Sequence, residues 1–312
     1  MEGREVSLAY GIQLPVQAQS ALFAEAWEAA AGGEDLVALA RAVDAAGFDY
    51  LAACDHVAVP HRLAPAMSTV WYDPVATLAH LAAVTERVRL LSHVAVVGLR
   101  HPLLTAKQYA TLDHLSGGRL VLGVGAGHVR EEFEVLGADF ERRGAVLDEV
   151  IDALRAALGP QEFPEHHGKF YDFGGLGQRP RPAQAHVPLW VGGSSPAAVR
   201  RAALKGDGWL PQGDPRERLP AQIARLRRLR EQAGAEGPFT VGAIAEPLYV
   251  GRAGWDVGRR TLTGAPQEIA ESLRAYRAMG VDQIQVRFRS RSRAELIEQI
   301  GLFGAEVAPG LD

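Results

Sequence analysis

The sequence predicts a (β/α)8 TIM barrel, and three observations carry that prediction. Eight short apolar runs of strand length alternate with segments of helical periodicity. The runs are apolar on both faces, as strands of a parallel sheet covered on both sides must be. The 312 residues, 47% hydrophobic and 22% charged, suit a closed barrel better than an open doubly wound sheet. No internal repeat or low-complexity linker interrupts the alternation. One domain is therefore expected over residues 1–312, with an insertion before the fifth strand.

The elements follow in order. Residues 6–14 make the first strand, stopped by Pro15. The Ala-rich stretch 16–33 reads as a loop with room for a short helix. Leu36, Val37, Leu39, Ala40 and Val43 give residues 34–46 a helical period that Gly47 ends. Strand two is Tyr50-Leu51-Ala52-Ala53-Cys54, with Asp55-His56 at its exit. Asp73-Pro74 supplies an N-cap and a first-turn proline for a helix striped by Val75, Leu78, Leu81, Ala82 and Val84. Strand three covers 88–97, apolar except for Ser92 and His93. Pro102 opens a helix that runs through Leu115, and Gly117-Gly118 turns the chain into strand four at 120–124. Residues 129–158 read as one long helix. Residues 160–188 lack periodicity and form the insertion, with room for one hairpin. Strand five is 189–191, a helix covers 196–205, and strand six is 208–210. A helix over 215–233 precedes strand seven at 239–244, which reaches toward Val250. A helix over 266–279, strand eight at 283–288 and a last helix over 293–307 close the chain.

Composition narrows the function. A net charge of −4 leaves no basic footprint for nucleic acid and no polybasic membrane patch. The single cysteine, Cys54, excludes an internal disulfide and fits a reducing compartment. Neither a signal peptide nor a membrane-length apolar window is legible. A cytoplasmic enzyme with a small-molecule substrate is expected.

Two glycine loops stand out. Gly123, Gly125 and Gly127 alternate after strand four, and Gly192-Gly193-Ser194 follow strand five. Each sits between a strand and a helix N-terminus, where bare backbone amides can cradle an anion. Gly123-x-Gly125-x-Gly127 lacks the dinucleotide-fold spacing, so the pair of loops, rather than either alone, points to one bulky phosphorylated ligand. Functional side chains of such a barrel lie at the C-terminal strand ends. That rule selects His56, His93 and His128, with Asp55, Trp209 and Arg287 at similar depth. The other seven histidines read as loop or helix-face residues. Trp71, Tyr72, Tyr171 and Trp209 suggest an aromatic-lined pocket. A metal centre is the weaker reading, because strand one carries no His-x-His.

Taken as an ordered set, several motifs resemble the bacterial luciferase-like monooxygenase family. They are Gly47-Phe48-Asp49-Tyr50, Cys54-Asp55-His56, Asp73-Pro74, Arg100-His101-Pro102, Leu115-Ser116-Gly117-Gly118-Arg119, Gly123 to Gly127, Glu131-Glu132-Phe133, Arg142-Arg143-Gly144 and Asp207-Gly208-Trp209-Leu210-Pro211. The resemblance runs from Val6 to about Gly301 and is strongest to the subgroup that uses the deazaflavin coenzyme F420. It implies an F420-dependent oxidoreductase, with an FMN-dependent two-component monooxygenase as the alternative and an inactive ligand-binding barrel as a further one. By position, Asp55 and His56 would lie beside the coenzyme ring, and His93-Val94 would form a non-prolyl cis peptide backing it. Gly125, Ala126, Gly127, Gly192, Gly193 and Ser194 would hold the phosphate. His56, His128 and Asp55 would be catalytic. Relatives that oxidise sugar phosphates carry a glutamate where His128 stands. The family also implies a homodimer and, in the two-component case, a reductase partner.

Overall fold

The computed structural model describes residues 8–21 and 23–311. Its twelve strands are β1 (Ala9–Gln13), β2 (Tyr50–Ala53), β3 (Arg89–Ser92), β4 (Leu120–Val124), β5 (His166–His167), β6 (Asp172–Phe173), β7 (Leu189–Gly192), β8 (Gly208–Leu210), β9 (Thr240–Ile244), β10 (Leu248–Val250), β11 (Leu262–Gly264) and β12 (Gln283–Val286). The helices are α1 (Gly33–Ala45), α2 (Ala64–Met67), α3 (Pro74–Ala82), α4 (Pro102–Leu115), α5 (Arg130–Val135), α6 (Arg143–Leu158), α7 (Pro196–Lys205), α8 (Leu219–Gln232), α9 (Pro266–Ala278) and α10 (Arg293–Leu302). Eight strands close in the order β1-β12-β9-β8-β7-β4-β3-β2, every pair parallel. All eight strand exits therefore face one mouth, as the expected (β/α)8 architecture demands.

Strand alternation divides the core in two. Outward side chains such as Leu51, Leu90, Leu122 and Ile284 pack against the helices in one large cluster. Inward ones, Tyr50, Ala52, Leu91, Val121, Trp190 and Leu210, form a separate cluster along the barrel axis. The Tyr50 and Trp190 rings meet edge to face, 6.1 Å apart. Glycine opposite each ring makes that possible. A methyl group at Gly11 would lie 2.3 Å from the Tyr50 ring, and one at Gly208 would lie 2.5 Å from Trp190.

Several boundaries depart from the sequence reading. The helix expected over 129–158 is two helices, because Gly137 takes a left-handed φ of 72° and ends α5. Asp139 then accepts the Arg142 amide at 3.1 Å to restart the chain as α6. Strand three stops at Ser92. Beyond it come a cis peptide at His93-Val94 and one bridge from Ala95 to Val124. The extension of strand seven is a separate strand: β10 leaves the barrel and pairs with β11, which lacked an apolar run to announce it. The helix expected over 215–233 opens as a 3-10 turn at Arg216–Arg218, and the last helix loosens into a π turn at Phe303–Val307. Strand eight ends at Val286, with Phe288 reduced to one bridge with Leu248. Val6 and Ser7 lie outside the described residues.

The insertion carries the expected hairpin, β5 antiparallel to β6. Glu149 of α6 pins it by accepting the amides of Lys169, Phe170 and Tyr171 at 2.8, 2.8 and 2.7 Å. No helix of the described residues is long and apolar enough to cross a membrane.

The axial packing sets a test. Gly208→Ala pushes a methyl into the Trp190 ring and is expected to destabilise the fold by about 1–3 kcal/mol. Urea unfolding followed by circular dichroism measures it.

Candidate active site

The mouth is organised by the β2 exit. Cys54 and Asp55 are buried, while His56 is the first residue to reach solvent. Asp55 does not stand open. Arg100 grips both its oxygens, at 2.7 and 2.9 Å, and the Val96 amide donates at 2.8 Å. With its acceptors so used, Asp55 is the floor of the site, joining the β2 exit to the loop after β3.

His56 is held from one side. Its Nδ1 lies 2.8 Å from Glu132 Oε2, and the Val57 and Ala58 amides donate to Glu132 Oε1 at 2.7 and 3.2 Å. Burial raises the Glu132 pKa, but the hydrogen bond and charge of His56 and the two amides outweigh it and hold the carboxyl below the ordinary range. The Trp71 and His56 ring centroids lie 4.5 Å apart in an edge-to-face arrangement. His128 approaches at 5.3 Å with its ring nearly perpendicular. Burial, together with the neighbouring His56, lowers the pKa of His128, with Glu132 opposing. Two of the three histidines selected from sequence thus meet in space. Among the described residues, nothing hydrogen-bonds to Nε2 of His56.

His93 is deeper, 6% exposed, and lies apart from that pair. Its Nε2 contacts the Gln212 side-chain amide at 2.8 Å, and its Nδ1 is buried without a partner. Burial pushes its pKa down to about 4, the Gln285 side chain opposing only in part, so the ring is neutral. Gln285, inward on β12, is the side chain that acts on His93, yet its buried Oε1 forms no well-made hydrogen bond.

The next residue, Val94, joins the two glycine loops. A methyl group at Gly125 would meet its Cγ2 at 2.5 Å, and one at Gly192 would meet its Cγ1 at 2.7 Å. A methyl at Gly127 would strike Phe133 and Val96, each at 2.7 Å. These glycines thus make room for neighbouring side chains of the protein, whereas the sequence reading had them clear space for a ligand. Amides still remain for an anion. Gly125 donates to Ala95 and Gly193 to Leu210, both at 2.9 Å. Among the described residues, the amides of Ala126, Gly127 and His128 in one loop, and of Ser194 and Ser195 in the other, make no hydrogen bond. The second loop leads into α7, whose N-cap is Ser195. The Ser194 hydroxyl is used internally: it accepts the Gln212 amide at 2.8 Å and donates to the Gln212 carbonyl at 3.1 Å.

The aromatic pocket is reduced. Trp209 is fully buried in the outer core and donates its indole N–H to Gly193 O at 2.8 Å, so it lines no opening. Tyr72 packs on the core, and Tyr171 faces His101 at 5.4 Å. Trp71 alone of the four touches a site histidine. Arg287, at the end of the β12 inward row, has its guanidinium 4.9 Å from the Phe23 ring.

Sequence reasoning assigned no role to Glu132, Arg100 or Gln212. Glu132 and Arg100 showed only as members of the motifs Glu131-Glu132-Phe133 and Arg100-His101-Pro102, which name no partner for either. Gln212 left no trace, since it acts on His93 from 119 positions away.

With this geometry in place, the comparisons define the class. The model of the luciferase-like monooxygenase family matches residues 10–253, and the chain belongs to that family. An uncharacterized protein of Mycobacterium tuberculosis strain H37Rv is 36% identical over 221 residues, 67% of this chain and 76% of the relative. The FMNH2-dependent dimethylsulfone monooxygenase of Pseudomonas putida is 27% identical over 286 residues, 75% of this chain and 77% of the enzyme. An F420-dependent secondary alcohol dehydrogenase, solved with an F420-acetone adduct, superposes with a TM-score of 0.77 at 15% identity, covering 98% of this chain and 99% of that one. At that identity the superposition speaks for the fold alone.

Neutral His93 makes stability depend on pH with a definite sign. Its folded pKa of about 4 lies below the free value of 6.5, so the unfolded chain binds the proton first as pH falls. Its contribution is complete above pH 6.5 and is lost as pH falls toward 4, by up to about 3 kcal/mol. Urea midpoints across that window are expected to fall more steeply for the native chain than for His93→Gln.

Proposed function

We propose that this barrel is an oxidoreductase that binds the deazaflavin F420 in its mouth, with His56 moving the proton that accompanies hydride transfer to or from a small organic substrate. The observation that carries this reading is His56 itself. It is a strand-exit imidazole anchored at one nitrogen by a buried carboxylate and unengaged at the other. That is the arrangement a proton-transfer group needs, because one ring atom is fixed and the opposite one is presented.

The residues present suit a phosphorylated flavin-type carrier. Unpaired amides at Ala126, Gly127 and His128, and at Ser194 and Ser195 ahead of α7, would take the phosphate. The buried, unpartnered His93 Nδ1 and Gln285 Oε1 would meet the polar edge of the ring. When bound, the carrier supplies a hydride-accepting or hydride-donating ring carbon. The protein's own work would be to bind the carrier at the mouth lined by Val94 and Trp71 and to give or take a proton at His56 Nε2. His128 sits beside His56 as the exposed member of the pair. Asp55, with both oxygens gripped, is assigned to scaffolding.

An FMN-dependent monooxygenase is the second reading, favoured by the dimethylsulfone enzyme of P. putida among the relatives. It would require a partner reductase to supply reduced flavin. We put F420 first because the ordered motifs resemble those of the F420-using subgroup.

Titrating the purified chain with F420 and with FMN, followed by ligand fluorescence, separates the readings. Saturable binding of F420 alone is expected. Binding of FMN alone would replace the first reading with the second, and binding of neither would overturn both. With the carrier bound, His56→Ala is expected to lower turnover about 10²–10⁴-fold while leaving carrier affinity nearly unchanged. Unchanged turnover would remove His56 from the chemistry.

A further inference from the structure

We infer that Glu132 is a positioning residue that fixes the tautomer of His56, so that the neutral imidazole carries its proton on Nδ1 and turns the Nε2 lone pair to the mouth. This deepens the reading of His56 as the proton-transfer group and rests on it only for the kinetic consequence.

The argument is a count of donors and acceptors. Glu132 is 3% exposed in its side chain and receives three donors. Two are backbone amides, Val57 and Ala58, on Oε1. The third position, on Oε2, is filled by His56 Nδ1 at 2.8 Å. An ionised carboxylate only accepts, so the hydrogen between these two atoms belongs to the imidazole. One neutral ring carries one N–H. With that hydrogen on Nδ1, Nε2 is left as a lone pair, able to take a proton from a substrate hydroxyl and return it in the reverse direction.

The surroundings prevent the ring from escaping this assignment. Turning it over would set a C–H against the buried carboxylate and leave an acceptor unmatched. Trp71 at 4.5 Å and His128 at 5.3 Å crowd the ring. The same carboxylate ties down the loop after β2, and its neighbour Glu131 binds Arg62 of that loop with both oxygens, at 2.5 and 2.9 Å. Ring orientation and loop position are therefore set together, from one turn of α5.

A nearly isosteric change reverses the tautomer without removing the scaffold. In Glu132→Gln the amide oxygen keeps the Val57 and Ala58 donors, so the NH2 group turns to Nδ1. Nδ1 must then accept, and the single hydrogen moves to Nε2. The test is 15N NMR of the imidazole in the cofactor-free full-length chain, with His56→Gln assigning the signal. The native chain is expected to show a protonated Nδ1 and a bare Nε2, and Glu132→Gln the reverse. With the carrier bound, the same variant is expected to lose about 10²-fold or more in kcat for the direction in which the substrate gives up a proton, with KM little changed.

A native ring protonated on Nε2, or one tautomer common to both proteins, would overturn the inference. The NMR readout is independent of the carrier. The expected tautomers combined with full activity in His56→Ala would support the positioning by Glu132 and reject the proton role of His56 instead.

Discussion

The mouth depends on one packing constraint, the lodging of Val94 between Gly125 and Gly192. A side chain from the end of β3 fills the space that glycine leaves at the ends of β4 and β7. Three strand exits are thereby drawn to within a methyl group of one another. Any side chain at either glycine would force them apart, since packed interiors transmit such overlaps instead of absorbing them. The unpaired amides of both loops follow from this closeness, because loops so short and so tightly packed exhaust their partners before their donors.

Against that rigid side stands a polar one. The exit of β2 carries two charged attachments that serve different ends. Asp55 is satisfied by Arg100 and the Val96 amide, which ties β2 to the loop leading into α4. His56 is attached through Glu132 to α5. The first attachment engages both carboxylate oxygens, and the second leaves one ring nitrogen without a hydrogen bond among the described residues. Consecutive residues are divided between architecture and chemistry by what their neighbours in space demand.

The division explains how much could be read from the chain alone. Barrel strands were legible wherever short apolar runs met glycine or proline, so β4 and β8 fall where the sequence put them and β7 runs one residue further. The break between α5 and α6 was not, because the helical pattern resumes after Gly137 and periodicity does not register one left-handed residue. β11 was hidden for a related reason: Leu-Thr-Gly is too short to alternate. His56 and His128 were legible as strand-exit histidines, and they do meet. Trp209 was misread as a pocket residue, since its place on a strand of three residues did not say which face it took. Glu132 shows the deeper limit. Nothing in a sequence states that residues 56 and 132 are partners, because only closure of the sheet brings β2 and the segment after β4 to one place.

The plugged axis has one more implication. Tyr50 and Trp190 fill the waist of the cylinder, so nothing admitted at the mouth can leave along the axis. Entry and exit therefore share one face, a restriction imposed by the shape of the vessel before any chemistry begins.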